Sequence, residues 1–325
     1  MKPQNIGVLT SGGDSPGMNA AIRSVVRSCA YHEVRCTGIY EGFQGMIDGN
    51  MKEFTARDVK NILGRGGTIL RSARCEAFRT KEGRDLAFQN LQNNHVDGLV
   101  VIGGDGSFTG ADIFSHEFNI PVTGIPGTID NDLWGTEYTL GYDTATNTVV
   151  DCVDKLRDTA TSHNRLFFVE VMGRDTGFIA LRTGVATGAL DVVLPEEDAS
   201  FEDLVDALQR GASHKKTSNI VIIAEGNGIG SAHEIADKVK KIFPEIETRV
   251  TVLGHLQRGG APSCRDRILA AELGVAAVEA LLEGKTRVMA GSMGNRPNLV
   301  PFSEAIGKQK HLDPNLLRVS RILSI

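Results

Sequence analysis

The chain offers no cysteine pairs to build with. Cys29, Cys36, Cys75, Cys152 and Cys264 are odd in number, scattered, and without a CxxC spacing. That speaks against a disulfide framework and a zinc site and fits a reducing cytoplasm. An excess of positive charge is also missing: 35 Lys and Arg against 40 Asp and Glu leave a formal net charge of -5. No nucleic-acid partner is expected, and any bound anion must be held by a local cluster. Nowhere do about 18 apolar residues run uninterrupted, and the opening MKPQNIGVLTSGGD has no long apolar stretch with a cleavage signal. The expectation is a soluble, non-secreted protein with no membrane partner.

What is present suits a folded globular chain. The 325 residues, 41% of them hydrophobic, correspond to about two domains of roughly 150 residues, each with enough apolar side chains for a core. Short β-rich runs alternate with amphipathic ones. Strand candidates are IGVLT (Ile6 to Thr10), RCTGIY, GLVVIGG, PVTGIP, LFFVEVM, DVVLP, NIVIIAEG and RVTVLG. Several are apolar on both faces, as buried parallel strands are, so the pattern predicts a parallel α/β architecture. Between Ser200 and Ser213, Ser200 can cap a packing helix and Asp203 stands at its third position.

In such folds the chemistry sits at the carboxyl edges of the strands, which directs attention to four turns. The first is LTSGGDSPGMN, where Gly12, Gly13 and Gly17 let backbone N–H groups approach a phosphate at a helix start. Met18 and Asn19 occupy the positions where a P-loop needs Lys and Ser or Thr, so this is no P-loop. The second, VIGGDGSFTG, reads GxGxxxG from Gly104, one residue off the dinucleotide fingerprint. Its Asp105 would repel a pyrophosphate unless it held magnesium; the bland reading is a tight turn with a solvated Asp. The third, IPGTIDNDLWGT, places Asp130 two residues from Asp132. One acid as general base and one near a metal would explain the pair, against the alternative of a solvated or capping pair. The fourth group is cationic: Arg65, Arg71 and Arg74 in RGGTILRSAR, Arg165 in SHNR, Arg174 in VMGRDTG, Arg249, and His255 and Arg258 in GHLQRGG. Most follow strand candidates and can converge on one anionic ligand, with charge-assisted bonds worth roughly 1.5 to 3 kcal/mol each.

The strings GVLTSGGDSPGMNAAIR, GGTILRSAR, VIGGDGS, PGTIDND, EVMGR and TVLGHLQRGG occur in this order across nearly the whole chain. Together they closely resemble the bacterial ATP-dependent 6-phosphofructokinases. The resemblance implies two similar three-layer α/β/α domains with mostly parallel sheets and an active-site cleft between them. The ATP-binding domain would comprise residues 1–139 plus about 253–303, and the fructose-6-phosphate-binding domain about 140–252 plus 304–325. It also implies transfer of the ATP γ-phosphoryl group to the 1-hydroxyl of fructose 6-phosphate in glycolysis.

Carried over by position, Asp130 is the base, Asp105 the magnesium ligand, and Asp132 helps organise metal and phosphates. Thr128 and Gly12 line the γ-phosphate site, and Arg74 and Arg174 balance its charge. Gly12, Arg74, Cys75, Gly104, Asp105, Gly106 and Ser107 match the ATP positions. Thr128, Ile129, Asp130, Arg165, Met172, Gly173, Arg174, Glu225, Arg249, His255, Leu256, Gln257 and Arg258 match the sugar-phosphate positions. Arg165 and Arg249 are implied to reach in from a neighbouring subunit of a homotetramer.

Pyrophosphate-using relatives carry Asp in place of Gly106 and Lys in place of Gly127, so this chain resembles the ATP-using group. At the implied effector site Arg23, Arg27, Arg157, Lys215 and Lys216 can supply charge. Leu190, however, stands for the Glu that would bind the effector's magnesium, and Ala56, with Arg57 beside it, stands for an Arg. ADP activation is therefore expected to be weak or absent. Cys75 stands where an aromatic is common, which alters adenine stacking. From Lys285 to Ile325 only packing is expected.

Three rival readings are set against this. A pyrophosphate-dependent phosphofructokinase is opposed by the two glycines. A nicotinamide-linked dehydrogenase is opposed by SGGDSPG in place of GxGxxG, and a non-catalytic sugar-phosphate sensor by the presence of both Asp105 and Asp130.

Overall fold

The computed structural model describes residues 2–163, 165–197, 200–213 and 220–324. The chain divides into two compact units, one of Met1–Ile129, Leu133–Thr144 and Arg258–Lys310, the other of Asp130–Asp132, Ala145–Gln257 and His311–Ile325.

The first unit is built on an eight-stranded sheet. Its parallel centre runs Val122–Thr128, Gly98–Gly103, Asn5–Thr10, Arg35–Ile39. The three strands other than Arg35–Ile39 are buried at every residue, which is why they read as continuous apolar runs. Helices cover both faces. On one face Met18–Tyr31 and Cys264–Leu282 join a core containing Ile6, Val8, Ile22, Val100 and Leu273. On the other, Lys81–Asn93 and Asp105–Phe118 join a core containing Leu9, Val101, Phe108 and Phe302, where the Phe108 and Phe302 rings stack at 5.1 Å. Each fully buried side chain of this size contributes roughly 1.5 to 3 kcal/mol.

The sheet extends beyond the sequence expectation. Met51–Phe54 pairs antiparallel with Arg35–Ile39 at one edge. At the other, Val288–Met293 pairs parallel with Val122–Thr128 and antiparallel with Arg296–Pro301. The two edge strands, Met51–Phe54 and Arg296–Pro301, are largely exposed and so lack the two-sided apolar signal of the central ones, while Val288–Met293 is buried from Met289 to Ser292 but has Ala, Gly and Ser at its centre.

The second unit carries four parallel strands in the order Glu247–Val252, Arg165–Val171, Ile220–Ala224, Asp191–Val193. Its core includes Phe168, Val221, Ile223, Leu204 and Ile235. Helix Phe201–Ser213 is capped as the sequence suggested: Ser200 Oγ accepts from Asp203 N at 3.1 Å, and Asp203 Oδ2 accepts from Ser200 N at 2.9 Å. Those bonds hold the Asp203 carboxyl below its ordinary range. Helix Tyr142–His163 starts in the first unit and continues in the second. No helix among the described residues is long and apolar enough to cross a membrane.

Candidate active site

Strands Asn5–Thr10 and Gly98–Gly103 lie side by side, yet the next strand of each pairs on the opposite flank: Arg35–Ile39 beside the first, Val122–Thr128 beside the second. Such a reversal opens a crevice at the strands' carboxyl ends, the place where open parallel sheets take ligands. The first two glycine turns emerge there. Ser11 N donates to Ile102 O at 2.9 Å, and a Cβ at Gly103 would lie 2.6 Å from Ser107 Oγ and 2.7 Å from Ser11 O. Only glycine permits that approach. Helix Asp105–Phe118 begins at once, with Asp105 exposed in its first turn, and Met18–Tyr31 follows Gly17. Both helices therefore present N-terminal N–H groups beside the crevice.

The residues that exclude a P-loop have other work. Met18 is fully buried. Asn19, also buried, donates through Nδ2 to Arg65 O and Gly66 O, both at 3.1 Å, and its Oδ1 accepts from Ile69 N at 2.7 Å. Thr10 Oγ1 donates to Arg71 O at 2.7 Å. These bonds tie the arginine-rich segment to the end of strand Asn5–Thr10. Asn19 was missed as a bracket in the sequence, where it reads simply as a misfit to the Walker pattern. Arg71, at φ 59°, and Arg74 are exposed. Cys75 is half-buried against the Phe43 and Phe78 core, and burial pushes its thiol above the ordinary value. Arg258 lies against the first turn: its Nη1 donates to Asp14 O at 3.1 Å, and a Cβ at Gly13 would be 2.7 Å from it.

Strand Val122–Thr128 delivers the acidic segment. Thr128 is buried, Ile129 is fully buried, and Asp130 is 9% exposed. Asn131 turns left-handed at φ 56°, a conformation Asn tolerates, and the half-buried Asp132 follows. The two glycines that the resemblance ties to the choice of donor differ physically. A Cβ at Gly106 meets nothing within 4 Å, whereas one at Gly127 would lie 3.0 Å from Ile102 Cγ2 and 3.2 Å from Met18 Cε. Packing alone thus accounts for a glycine at 127, whereas nothing in the fold requires one at 106.

In the second unit, three turns meet at the carboxyl ends of the strands. Glu225 Oε1 accepts from Gly173 N at 3.1 Å and Arg174 N at 2.7 Å. Gln257, with 0% exposure, accepts from Met172 N at 3.2 Å and donates to Gly254 O at 3.0 Å. Gly173, at φ 150°, leaves no room for a Cβ, which would lie 2.3 Å from Thr176 O. Glu225 and Gln257 therefore brace the Met172–Gly173–Arg174 turn. Arg174, His255 and Leu256 are exposed beside it. Arg165 and Arg249, expected from the resemblance at the sugar phosphate, stand elsewhere. Arg165 opens the strand that ends before Met172, and its Nε donates to Glu247 Oε2 at 2.8 Å, while Arg249 bonds Glu247 Oε1. At about 3.3 Å per residue, the Arg165–Val171 strand separates Arg165 from Met172 by roughly 20 Å.

The effector positions show one clear feature. Leu190 is 5% exposed in the second unit's apolar core, and a Cβ at Gly211 would lie 2.6 Å from its Cδ1. Arg157 bonds Thr187 O; Arg23 and Ala56 are half-buried and Arg27 and Arg57 exposed. Lys215 and Lys216 lie outside the described residues. Nearby, Asp191, Arg210, Glu197, Leu317 and Arg321 line a cavity of about 160 Å³. Burial raises the Asp191 carboxyl to about 6, against a smaller lowering by Val192 N–H and Arg210.

Comparison with known proteins bears on both units. The family model described as Phosphofructokinase matches residues 5–281. ATP-dependent 6-phosphofructokinase 2 of Bacteroides thetaiotaomicron is 52% identical over 320 residues, 98% of each chain. ATP-dependent 6-phosphofructokinase 1 of Thermus thermophilus is 49% identical over 99% of this chain and 100% of its own. Among solved structures, phosphofructokinase from Saccharomyces cerevisiae superimposes with a TM-score of 0.89 at 38% identity, covering 94% of this chain, which spans 45% of the yeast chain. A pyrophosphate-dependent phosphofructokinase from Marinobacter aquaeolei gives a TM-score of 0.86 at 20% identity, covering 98% of this chain and 91% of that one, which speaks to the fold alone.

Proposed function

The chain belongs to the phosphofructokinase family, and from that premise we propose that it is an ATP-dependent 6-phosphofructokinase. It takes the γ-phosphoryl group from ATP, places it on the 1-hydroxyl of fructose 6-phosphate, and releases fructose 1,6-bisphosphate, ADP and a proton. The observation that carries this reading is the pair of glycine turns at the strand reversal, with Thr128 and Asp130 at the end of the neighbouring strand. Near-full-length identity of about half to ATP-dependent enzymes supports the donor.

Phosphoryl transfer asks the protein for positioning and charge balance more than for covalent help. Asp130 takes the proton of the sugar hydroxyl as its oxygen attacks, an effect typically worth about 10² to 10⁴ in rate. Gly12, Thr128 and the N–H groups at Gly104–Ser107 hold the phosphates; Arg74 and Arg174, both exposed, offset charge on the group in flight. Cys75 borders the nucleotide. Met172, Gly173, His255, Leu256, Gln257 and Arg258 form the sugar-phosphate side, with Glu225 bracing it.

Magnesium fits the donor set. Asp105 presents a hard, exposed carboxylate at a helix start, and an ion bound mainly through phosphates needs only one or two such ligands. Asp132, two residues beyond Asp130, is the second acid of this reading, helping to organise metal and phosphates. When bound, magnesium neutralises phosphate charge; no cage of three or more His, Cys, Asp or Glu exists among the described residues.

The roughly 20 Å between Arg165 and Met172 favours a homo-oligomer, a tetramer in the family's manner, in which Arg165 and Arg249 serve the site of another copy. The proposed setting is the cytoplasm. The test is product formation from fructose 6-phosphate and magnesium, with ATP in one reaction and pyrophosphate in another. Product with ATP alone is expected; product with pyrophosphate alone overturns the donor assignment, and none with either revives the sensor.

A further inference from the structure

A buried carboxylate stands directly behind the reacting segment. Asp266, with 0% exposure, lies in the first turn of helix Cys264–Leu282. Its Oδ1 accepts from Gly141 N at 3.0 Å, and its Oδ2 accepts from Thr144 N at 2.9 Å and from Thr144 Oγ1 at 2.5 Å. Thr144 Oγ1 accepts from Ser263 N at 2.9 Å. Ser263 Oγ accepts from Asp266 N at 3.2 Å and donates to Asp143 Oδ2 at 2.7 Å. The N-termini of Tyr142–His163 and Cys264–Leu282 thus cap one another through a single closed network, satisfying N–H groups that a helix start leaves without partners.

The network reaches the reacting residues through the backbone. Gly141 pairs with Thr128, and Leu140 with Gly127; Thr139 Oγ1 donates to Thr128 O at 2.6 Å. On the other side, a Cβ at Gly141 would lie 2.8 Å from Ser15 Cβ and 3.0 Å from Pro16 Cδ, and one at Gly17 would lie 3.7 Å from Asp266 Cβ. The carboxylate is therefore one hydrogen bond from the strand that pairs with Thr128, and the Asp266 residue lies beside Gly17 of the first glycine turn, at ordinary contact distance from where a Cβ there would sit. A neutral Ser or Asn can cap a helix at less desolvation cost than a carboxylate. A carboxylate accepts on both oxygens and donates nothing, which three converging donors require.

Resting on the phosphotransfer reading, we propose that Asp266, acting with Thr144 and Ser263, is a positioning residue of the reaction. It locks Leu140–Gly141 beside the first glycine turn, and through that strand fixes Thr128, the residue from which the chain runs on to Asp130. It touches no substrate, so it sets geometry without entering the chemistry.

Wild type, Asp266→Asn, Thr144→Val and Thr144→Ser decide the matter, each confirmed folded by circular dichroism and assayed well below its melting temperature. In Asp266→Asn an amide N–H₂ faces a backbone N–H; Thr144→Val removes the hydroxyl with little change in shape; Thr144→Ser keeps it. Misplacement of reacting groups by about 1 Å can cost about 10²-fold. The expected result is a fall in kcat of roughly tenfold or more in Asp266→Asn and Thr144→Val, with KM for both substrates moved less than about threefold and Thr144→Ser within about twofold of wild type. Folded variants with wild-type kcat and altered melting alone overturn the proposal, as does Thr144→Ser losing as much as Thr144→Val. If Asp266→Asn does not fold, the Thr144 pair decides. An inactive wild type overturns the phosphotransfer reading and this proposal together; an active wild type with unaffected variants overturns this proposal alone.

Discussion

The strand ends of the two units are held in place by opposite means. In the first unit the turns close because side chains are missing: Gly103 admits Ser11 and Ser107 to within contact, and nothing larger would fit. In the second they close because side chains are present. Glu225 and Gln257 take the N–H groups of Met172, Gly173 and Arg174, and Glu196 does the same for Gly177 N at 2.9 Å. The turn at Gly103 should suffer from atoms added, and the Glu225 and Gln257 braces from atoms removed.

The largest effect is expected at Asp130, the proposed base. Asp130→Ser is expected to lower kcat by about 10² to 10⁴ while leaving substrate affinity nearly unchanged; unchanged turnover in steady-state assays would identify another base. Next in size is Asp191, where burial outweighs the Val192 N–H and Arg210 that act on its carboxyl. Its folded-state pKa of about 6 exceeds the ordinary 3.8, so between these values the folded protein keeps a proton that the unfolded chain has lost. Stability from this group therefore falls as pH rises from about 4 to 6 and is level above. Asp191→Asn should match wild type near pH 4 and exceed it by up to roughly 3 kcal/mol at pH 7. Urea titrations showing the same gap at every pH would refute the assignment.

The comparison itself is tested by a matched pair. Gly103→Val should lower stability by about 1 to 3 kcal/mol through overpacking. Glu225→Ala should cost a similar amount, read mainly as a rise of about 10-fold or more in KM for fructose 6-phosphate. Thermal melts and kinetics on both variants separate the two, and a melting loss confined to Glu225→Ala would invert the comparison. The smallest effect belongs to Gly106→Ala. With open space around it, the methyl should leave stability unchanged or up to ~1 kcal/mol higher. It should raise KM for ATP about fivefold, equivalent to ~1 kcal/mol; an unaltered KM would remove Gly106 from the donor site.

That asymmetry also governs what could be read from the sequence. Glycines in LTSGGDSPG and VIGGDG announce a turn without naming a partner, and the eight strand candidates, among them the edge strands Asp191–Val193 and Glu247–Val252 of the second sheet, announce themselves by β-rich runs. The hairpin Val288–Met293 and Arg296–Pro301 did not: Arg296–Pro301 is an edge strand buried fully only at Val300, and Val288–Met293, though buried from Met289 to Ser292, has Ala, Gly and Ser at its centre and so shows no large apolar run. Side-chain braces are silent in a different way. Gln257 and Asn19 act on backbone groups of residues far along the chain, and no local pattern records such a distance. Asp266 left a trace: Ser263 and Asp266 have the S-x-x-D spacing of a helix start, although the partner it also caps, more than a hundred residues earlier, is invisible at that range. Arg258 was legible as a cation, but not its seat on the turn at Gly13 and Asp14.

Glu247 holds Arg165 and Arg249 together at the end of the sheet remote from Met172. If those guanidiniums complete the site of another copy, catalytic competence belongs to the assembly and obeys mass action. Specific activity would then decline on dilution below the dissociation constant of the subunits. Inactive chains lacking either arginine would regain turnover when mixed with chains lacking Asp130, since each supplies what the other has lost.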